Sequence, residues 1–327
     1  MSRVWLSVVM PTYQGEAYLA PALDSVLAQG TEGIEVIAVD DGSSDRTLEI
    51  LRAYADRLPL TVVEREHRGN WVANANHGLA LARGEWLSLL HQDDLWLPER
   101  MAVLGPLARR AEGASMIVHP VWFIDPAGRR LGRWTCPLPD RPRPEQVVRR
   151  LLVQNFLAVP APLVAAHRLR EVGGLDEELW YTADWDLWLK LAAAGETIHV
   201  HRPLAAFRLH PASLTVAGSA RPADFRHQLE IVLHRHLARH GVGLPDAVRR
   251  AARFSVEANL TLAARAHGRP ASLGALALRW LALGPAAGRR YLRDSRIAER
   301  VLARRRLGRR APHPGRPAAP SEPPTPG

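Results

Sequence analysis

Two short apolar runs in this chain end in adjacent carboxylates. Residues 36–45 read VIAVDDGSSD, and residues 89–94 read LLHQDD. An acid at the end of a buried strand is costly unless something there needs it. In open α/β sheets the carboxyl ends of the strands are where ligands bind. The two acid pairs point to a site for a polar ligand and a divalent cation, which takes oxygen donors. A further pair of acids, Asp184 and Asp186, opens the strongly apolar stretch Asp184 to Ala194. Two residues apart is about 200° round a helix, so the two cannot share one face. Asp186 reads as a solvated or capping acid.

The elements that must carry these acids follow from hydrophobic periodicity. Apolar runs at 5–10, 34–39, 60–64 and 85–90 read as strands. Helical spacing separates them over 16–29, from Ser44 or Asp45 through Leu48, Leu51 and Tyr54, and over 70–82. This alternation predicts an α/β fold, a largely parallel sheet flanked by helices. Polar loops follow the first, second and fourth strands: Pro11 to Gly15, Asp40 to Asp45, and His91 to Asp94. A helix runs from Pro98 to about Arg110, then a strand over 115–125 that Pro120 makes an edge or a bend. A helix over 146–156, a strand over 161–167 and an extended segment over 198–210 follow. The pattern from Arg221 to about Arg306 is helical, and the proline-rich residues 311–327 read as disordered. There is no internal repeat.

Composition sets the outer bounds. The chain has 327 residues, 47% hydrophobic and 23% charged, enough for one large domain with an appendage. A single cysteine, Cys136, excludes an internal disulfide framework and any cysteine-built zinc site. No secretory leader and no run of eighteen apolar residues is found, so a cytoplasmic location is expected. The formal charge is +10, and ten arginines against two acids between Arg289 and Arg310 account for most of it. Basic charge gathered at one end argues against a nucleic-acid-binding body. The first strand leads into PTYQGEAY rather than a glycine-rich phosphate loop, which excludes a dinucleotide-dependent oxidoreductase.

Six segments in order then resemble glycosyltransferase family 2, inverting nucleotide-sugar enzymes of the GT-A fold. They are SVVMPTY, VDDGSSD, NANHGLALARGEW, HQDD, GGLDEELWYTADWDLWLKLAAAG and FRLHPASL, and they span Leu6 to about Ser213. The resemblance implies a GT-A domain over residues 1–220 with a helical basic extension over 221–310. It implies that Asp41 contacts the nucleotide base and that Thr12 and Tyr13, after Pro11, line its pocket beside Asp40. It implies that Asp93, supported by Asp94, ligates Mn²⁺ or Mg²⁺, with His91 and Gln92 on the donor side. Arg208 and His210 fall where either could meet the diphosphate. Asp184 is the implied general base for the acceptor hydroxyl. The chain departs from the family where His91 stands for an acid, where Ala183 precedes Asp184, and where Trp71 stands for a glycine. Trp188 reads as core, while Trp180 and Trp185 stay open as acceptor contacts.

The expected function is transfer of a sugar from a nucleotide-sugar to a glycan or lipid-linked acceptor in surface polysaccharide or glycolipid assembly. A catalytically silent binder of the same fold is the alternative. Arg289, Arg293, Arg296, Arg300 and Arg304 would form one stripe on a continuous helix. With the apolar segment 273–283 they suggest a peripheral anchor on an anionic membrane, the inner face of the plasma membrane. Packing of that segment on the catalytic domain, with solvated arginines, is the other reading.

Overall fold

The computed structural model describes residues 4–310. The tail over 311–327, expected to be disordered, lies outside the described residues. Helices and strands alternate at first: β1 (Leu6–Thr12), α1 (Leu19–Leu27), β2 (Ile34–Asp40), α2 (Thr47–Ala55), β3 (Leu60–Glu64), α3 (Trp71–Leu81) and β4 (Trp86–Leu89). Next come β5 (Leu95–Trp96), α4 (Arg100–Ala108), β6 (Ala114–Val118), β7 (Val121–Ile124), β8 (Arg130–Trp134), α5 (Pro144–Val153) and β9 (Leu163–Ala165). Then α6 (Ala166–Glu171), α7 (Ala183–Ala194), β10 (Glu196–His199), β11 (Ala205–Arg208) and α8 (Leu214–Ala217) complete the strand-bearing part. Five helices close the described chain with α9 (Pro222–His240), α10 (Asp246–Ala266), α11 (Leu273–Ala282), α12 (Gly284–Ser295) and α13 (Ile297–Arg310).

The main sheet has the order β10-β6-β9-β4-β1-β2-β3, and only β9 runs antiparallel to its neighbours. β1 and β2 are buried on both faces at every position, as strands covered by helices on both sides must be. α3 lies close over them because residue 78 is glycine. A Cβ there would stand 2.6 Å from Val9 Cγ1 and 3.2 Å from Val39 Cγ2. The carboxyl ends of β1, β2 and β4 therefore open on one rim.

Pro120 resolves the segment over 115–125 as a break rather than an edge. β6 stays in the main sheet between β9 and β10, and β7 enters a second sheet of order β5-β11-β7-β8. The segment over 198–210 divides in the same way, giving β10 to the first sheet and β11 to the second. Two elements escape periodicity altogether. β5 has only two residues, and β8 alternates around arginines.

The C-terminal helices share a core with the sheet. Phe225, Val232, Val248, Phe254 and Tyr291 belong to the same apolar cluster as Val9, Val39 and Trp188. The arginine stripe is not continuous. The backbone at Arg296 turns left-handed, with φ of 50°, and separates α12 from α13. Among the described residues, no helix is long and apolar enough to cross a membrane.

Asp186 is neither solvated nor a cap. Its carboxylate is fully buried, 2.8 Å from His236 Nε2, 3.1 Å from Lys190 Nζ and 3.1 Å from Arg235 Nη1. Burial raises its pKa, but the His236 hydrogen bond and the Lys190 charge outweigh that and hold it below the usual carboxylate range. The stability it supplies is present above the unfolded-state pKa and is lost as pH falls. Removing one member of a buried charge cluster strands the others. Asp186→Ala is expected to destabilise the fold by about 3–5 kcal/mol at pH 7. Chemical denaturation checks this, and the deficit shrinks in acid.

Candidate active site

At the end of β2 the chain must turn sharply. Gly42 takes φ of +72°, and a Cβ there would sit 2.9 Å from His67 N. Asp40 is fully buried and holds the turn together. Its Oδ1 accepts the hydroxyls of Thr12 (3.0 Å) and Ser43 (2.6 Å), and its Oδ2 accepts Ser43 N–H (2.8 Å). Asp40 and Thr12 thus shape the pocket beside Asp41. Asp41 accepts the backbone N–H groups of Arg68 (3.1 Å) and Gly69 (2.8 Å) and lies 3.0 Å from His67 Nδ1. Burial alone would raise its pKa. The Asn74 side chain, those two N–H groups and His67 prevail, so it sits below its ordinary value. Asp45 does the helix-entry work expected of it, accepting Thr47 N–H at 3.0 Å.

Tyr13 stands exposed and stacks on His67, with ring centroids 4.3 Å apart. A flat apolar face beside a carboxylate can receive a heteroaromatic ring. Gln92 grips the Tyr13 backbone from the next strand, accepting its N–H and donating to its carbonyl, both at 2.8 Å. The loop holding Pro11, Thr12 and Tyr13 is thereby tied to the turn that carries Asp93.

That turn is pinned on its other side by Arg208. Arg208 N–H donates to Asp94 Oδ1 (2.9 Å), and Arg208 Nε donates to the Asp93 carbonyl (2.7 Å). Its Nη1 donates to the carbonyls of Asp125 (3.1 Å) and Pro126 (2.9 Å), and its guanidinium lies over the Tyr18 ring. Arg208 is buried, with its Nε and Nη1 donating to backbone carbonyls. Asp94 also turns inward. Burial and the neighbouring Asp93 charge push its carboxyl well above the ordinary range. Its Oδ1 ties the turn to β11 through Arg208 N–H, and its Oδ2 is buried without a hydrogen-bond partner.

Asp93 is the acid left facing outward. His210 Nε2 stands 2.8 Å from its Oδ2. His91 packs edge-on against Trp71, its Nε2 buried without a hydrogen-bond partner. Among the described residues no three ligating side chains form a ready-made cation cage. The donors present fit a cation held through Asp93 beside a bound oxyanion, with an imidazole in reach, a set that suits Mn²⁺.

Asp184 begins α7. Its Oδ2 accepts Asn155 Nδ2 (2.8 Å) and its Oδ1 accepts Trp185 N–H (2.8 Å), with no cation paired to it. Burial raises its pKa to about 6, against those two hydrogen bonds. Asp93, His91 and Asp184 line one cavity of about 270 Å³, walled by Trp71, Phe123, Trp134 and Trp185. Asp41, Tyr13, Gln92 and His210 are not part of its lining. The site thus has an exposed ring face at Tyr13 beside Asp41, a pinned turn at Asp93, and a chamber lined by both Asp93 and Asp184. Trp188 is core, Trp185 lines the chamber, and Trp180 does not.

Residues 7–153 match the profile described as Glycosyl transferase family 2. Over those residues the chain is similar to glycosyltransferase family 2. An uncharacterized glycosyltransferase of Rickettsia typhi is 28% identical over 221 residues, covering 64% of this chain and 65% of that protein. An uncharacterized protein of Mycobacterium bovis is 30% identical over 209 residues, covering 63% of this chain and 59% of that one. The chain therefore spans somewhat less than two thirds of the length of these curated relatives. Among solved structures, S. aureus TarS 1–349 in complex with UDP-GlcNAc superposes with a TM-score of 0.58 at 18% identity, covering 92% of each chain. The mannosyltransferase PcManGT of Pyrobaculum calidifontis, in complex with GDP-Man and Mn²⁺, gives 0.55 at 18% identity, covering 94% of this chain and 88% of that one. At that identity the likeness shows the shared GT-A fold.

Several site features left little sequence signal. Asn155, which holds Asp184, sits in an unremarkable loop. His67 reaches the site only through tertiary contact, while Trp71, noted in the sequence for standing where a glycine is expected, lines the chamber. Arg300 and Arg304 line the chamber although their spacing reads as a surface stripe.

An acid with a raised native pKa favours the fold below its unfolded pKa, and that advantage is lost as pH rises through about 6. Asp184→Asn removes the charge and keeps one of the two accepting oxygens. It is expected to match the native protein in stability at pH 4 and exceed it at pH 7.5, by about 1 kcal/mol after allowance for solvent access. Paired thermal melts at the two pH values check this.

Proposed function

We propose that this chain transfers a sugar from a nucleotide-sugar donor to an acceptor hydroxyl, with inversion at the anomeric carbon. One observation carries the reading: Asp93 and Asp184 line the same chamber. The stacked Tyr13–His67 face and Asp41 would receive the nucleotide base, with Pro11, Thr12 and Asp40 fixing that pocket. Gln92 keeps the base pocket and the diphosphate turn in register. Asp93, with His210 and His91 beside it, would hold Mn²⁺ or Mg²⁺ together with the diphosphate. Such an ion supplies charge neutralisation as the nucleoside diphosphate leaves. Asp184, with a pKa near 6, is ionised at neutral pH yet basic enough to take the acceptor proton. Asn155 aims the carboxylate.

A silent nucleotide-sugar binder is the competing reading, suggested by His91 and Ala183 where the family carries acids. The raised basicity of Asp184 favours transfer, since a binding site has no use for it. Surface polysaccharide or glycolipid assembly is the proposed setting. There the GT-A part, residues 1–220, would act on a glycan or lipid-linked acceptor while residues 221–310 complete the chamber. Calorimetry with a panel of nucleoside diphosphates and Mn²⁺ tests the donor half. Asp93→Ala is expected to lose at least tenfold in affinity. Asp184→Asn is expected to bind normally and lose about 10²–10⁴ in turnover. Unaltered turnover in Asp184→Asn would contradict the assigned base.

Attachment to the cytoplasmic face of an anionic membrane is proposed through α11 rather than through an arginine stripe. Leu278 and Leu281 are 68% and 63% exposed, and Leu273 joins them. Isolated leucines on a surface are ordinary, but three on one short helix form a patch. Leu278→Gln with Leu281→Gln is expected to reduce sedimentation with phosphatidylglycerol vesicles. Equal sedimentation counts against this attachment.

A further inference from the structure

Arg300 and Arg304 stand on α13, outside the stretch the family profile covers, yet both line the chamber that holds Asp184. Their neighbours leave their charge unanswered. Neither forms an ion pair among the described residues, and the groups that favour their charged forms are the phenols of Tyr181 and Tyr291. Arg300 Nη1 is buried without a hydrogen-bond partner. Burial pushes the Arg300 guanidinium down to about 10. Elsewhere on the same helices arginines do find acids. Arg293 is paired with Asp294 at 2.7 Å, and Arg296 lies 3.7 Å from Glu299. Arg304, one turn on, is exposed to solvent, whereas the half-buried Arg300 with its orphaned Nη1 is costly to hold without an anion.

Hydrogen bonds show which end of the chamber they serve. Arg300 Nη2 donates to Asn259 Oδ1 (2.7 Å), and Asn259 Nδ2 donates to Gln154 Oε1 (3.0 Å). Gln154 Nε2 donates to the Asn155 carbonyl (3.3 Å), and Asn155 Nδ2 donates to Asp184 Oδ2 (2.8 Å). The network runs from the arginine to the base and does not touch Asp93. The chamber's lining also includes the apolar side chains of Phe207, Leu214, Val216 and Leu262.

We propose that the acceptor of this enzyme carries a phosphate group, and that Arg300 and Arg304 receive it while the acceptor hydroxyl meets Asp184. The inference rests on the transferase reading above and names its acceptor class. A guanidinium fork matches the oxygens of a phosphate, and apolar walls suit a chain or ring attached to it. The phosphate can belong to a lipid-linked glycan or to an anionic polymer, and the probes below separate the two.

The test is calorimetric titration of the full chain with hexyl phosphate, glycerol 1-phosphate, hexyl glucoside and a nucleoside diphosphate with Mn²⁺. The native protein is expected to bind hexyl phosphate at least tenfold more tightly than hexyl glucoside. Arg300→Gln with Arg304→Gln is expected to remove that preference while nucleoside diphosphate affinity stays within twofold, which also reports an intact fold. Arg300→Lys, which keeps the charge, should retain part of it. Hexyl phosphate binding well above glycerol 1-phosphate supports a lipid-linked acceptor, and equal binding supports an anionic polymer. Unchanged hexyl phosphate affinity in the double variant overturns the proposal, as does a fall in nucleoside diphosphate affinity, which would assign the arginines to the donor. Failure of the native protein to bind any nucleoside diphosphate would instead sink the transferase reading.

Discussion

The turn after β4 is held from both sides, and the site depends on that double anchorage. Gln92 fastens it to the Tyr13 backbone, and Arg208 fastens it through the Asp94 carboxylate and the Asp93 carbonyl. The Arg208 Nε bond has a charged donor and contributes about 1.5–3 kcal/mol, and the neutral Gln92 bonds about 0.5–1.5 kcal/mol each, which offsets the loss of loop freedom. Their consequence is selective. Asp94 is drawn inward, and Asp93 is the more exposed carboxylate of the two. The order of the motif, with two adjacent acids, is thus a division of labour between a structural acid and a chemical one.

The same sorting runs along the whole rim. Asp40 is saturated by Thr12 and Ser43, Asp41 by two backbone N–H groups, and Asp186 by His236 and Lys190. Asp184 has two neutral donors and no cation. The satisfied acids build the frame, with Asp41 and Asp186 held below their ordinary values, while Asp184 is raised. Local cost concentrated in one residue is what a reactive site requires.

The strands and the acid motifs were legible because apolar runs and abrupt polar ends are local features. Ile34 to Asp40 and Leu60 to Glu64 stand where periodicity puts them. Pro120 was legible as a disruption, but its effect, a transfer between sheets, depends on β11 lying beside β7. Arg208 and His210 stand out in the sequence by the resemblance of their segment. The hydrogen bonds of Arg208 Nε and Nη1 to the Asp93, Asp125 and Pro126 carbonyls depend on tertiary structure. Arg300 and Arg304 were misread. Their spacing fits a solvated stripe on one continuous helix, and the left-handed residue Arg296 rotates α13 so that they enter the chamber. Nothing in the sequence marks Asn155, whose role follows from an approach of residues far apart in the chain.

The central claim is that one bound donor is held at Asp93 within reach of a basic Asp184. Carbon-13 spectroscopy of the labelled Asp184 carboxyl tests it most directly, with Mn²⁺ and nucleoside diphosphate added to the native protein. The account predicts a titration midpoint near 6 and strong paramagnetic broadening of that signal only when both metal and nucleotide are present. A midpoint near 4, the ordinary carboxylate value, together with a signal that the metal complex leaves sharp, would contradict it.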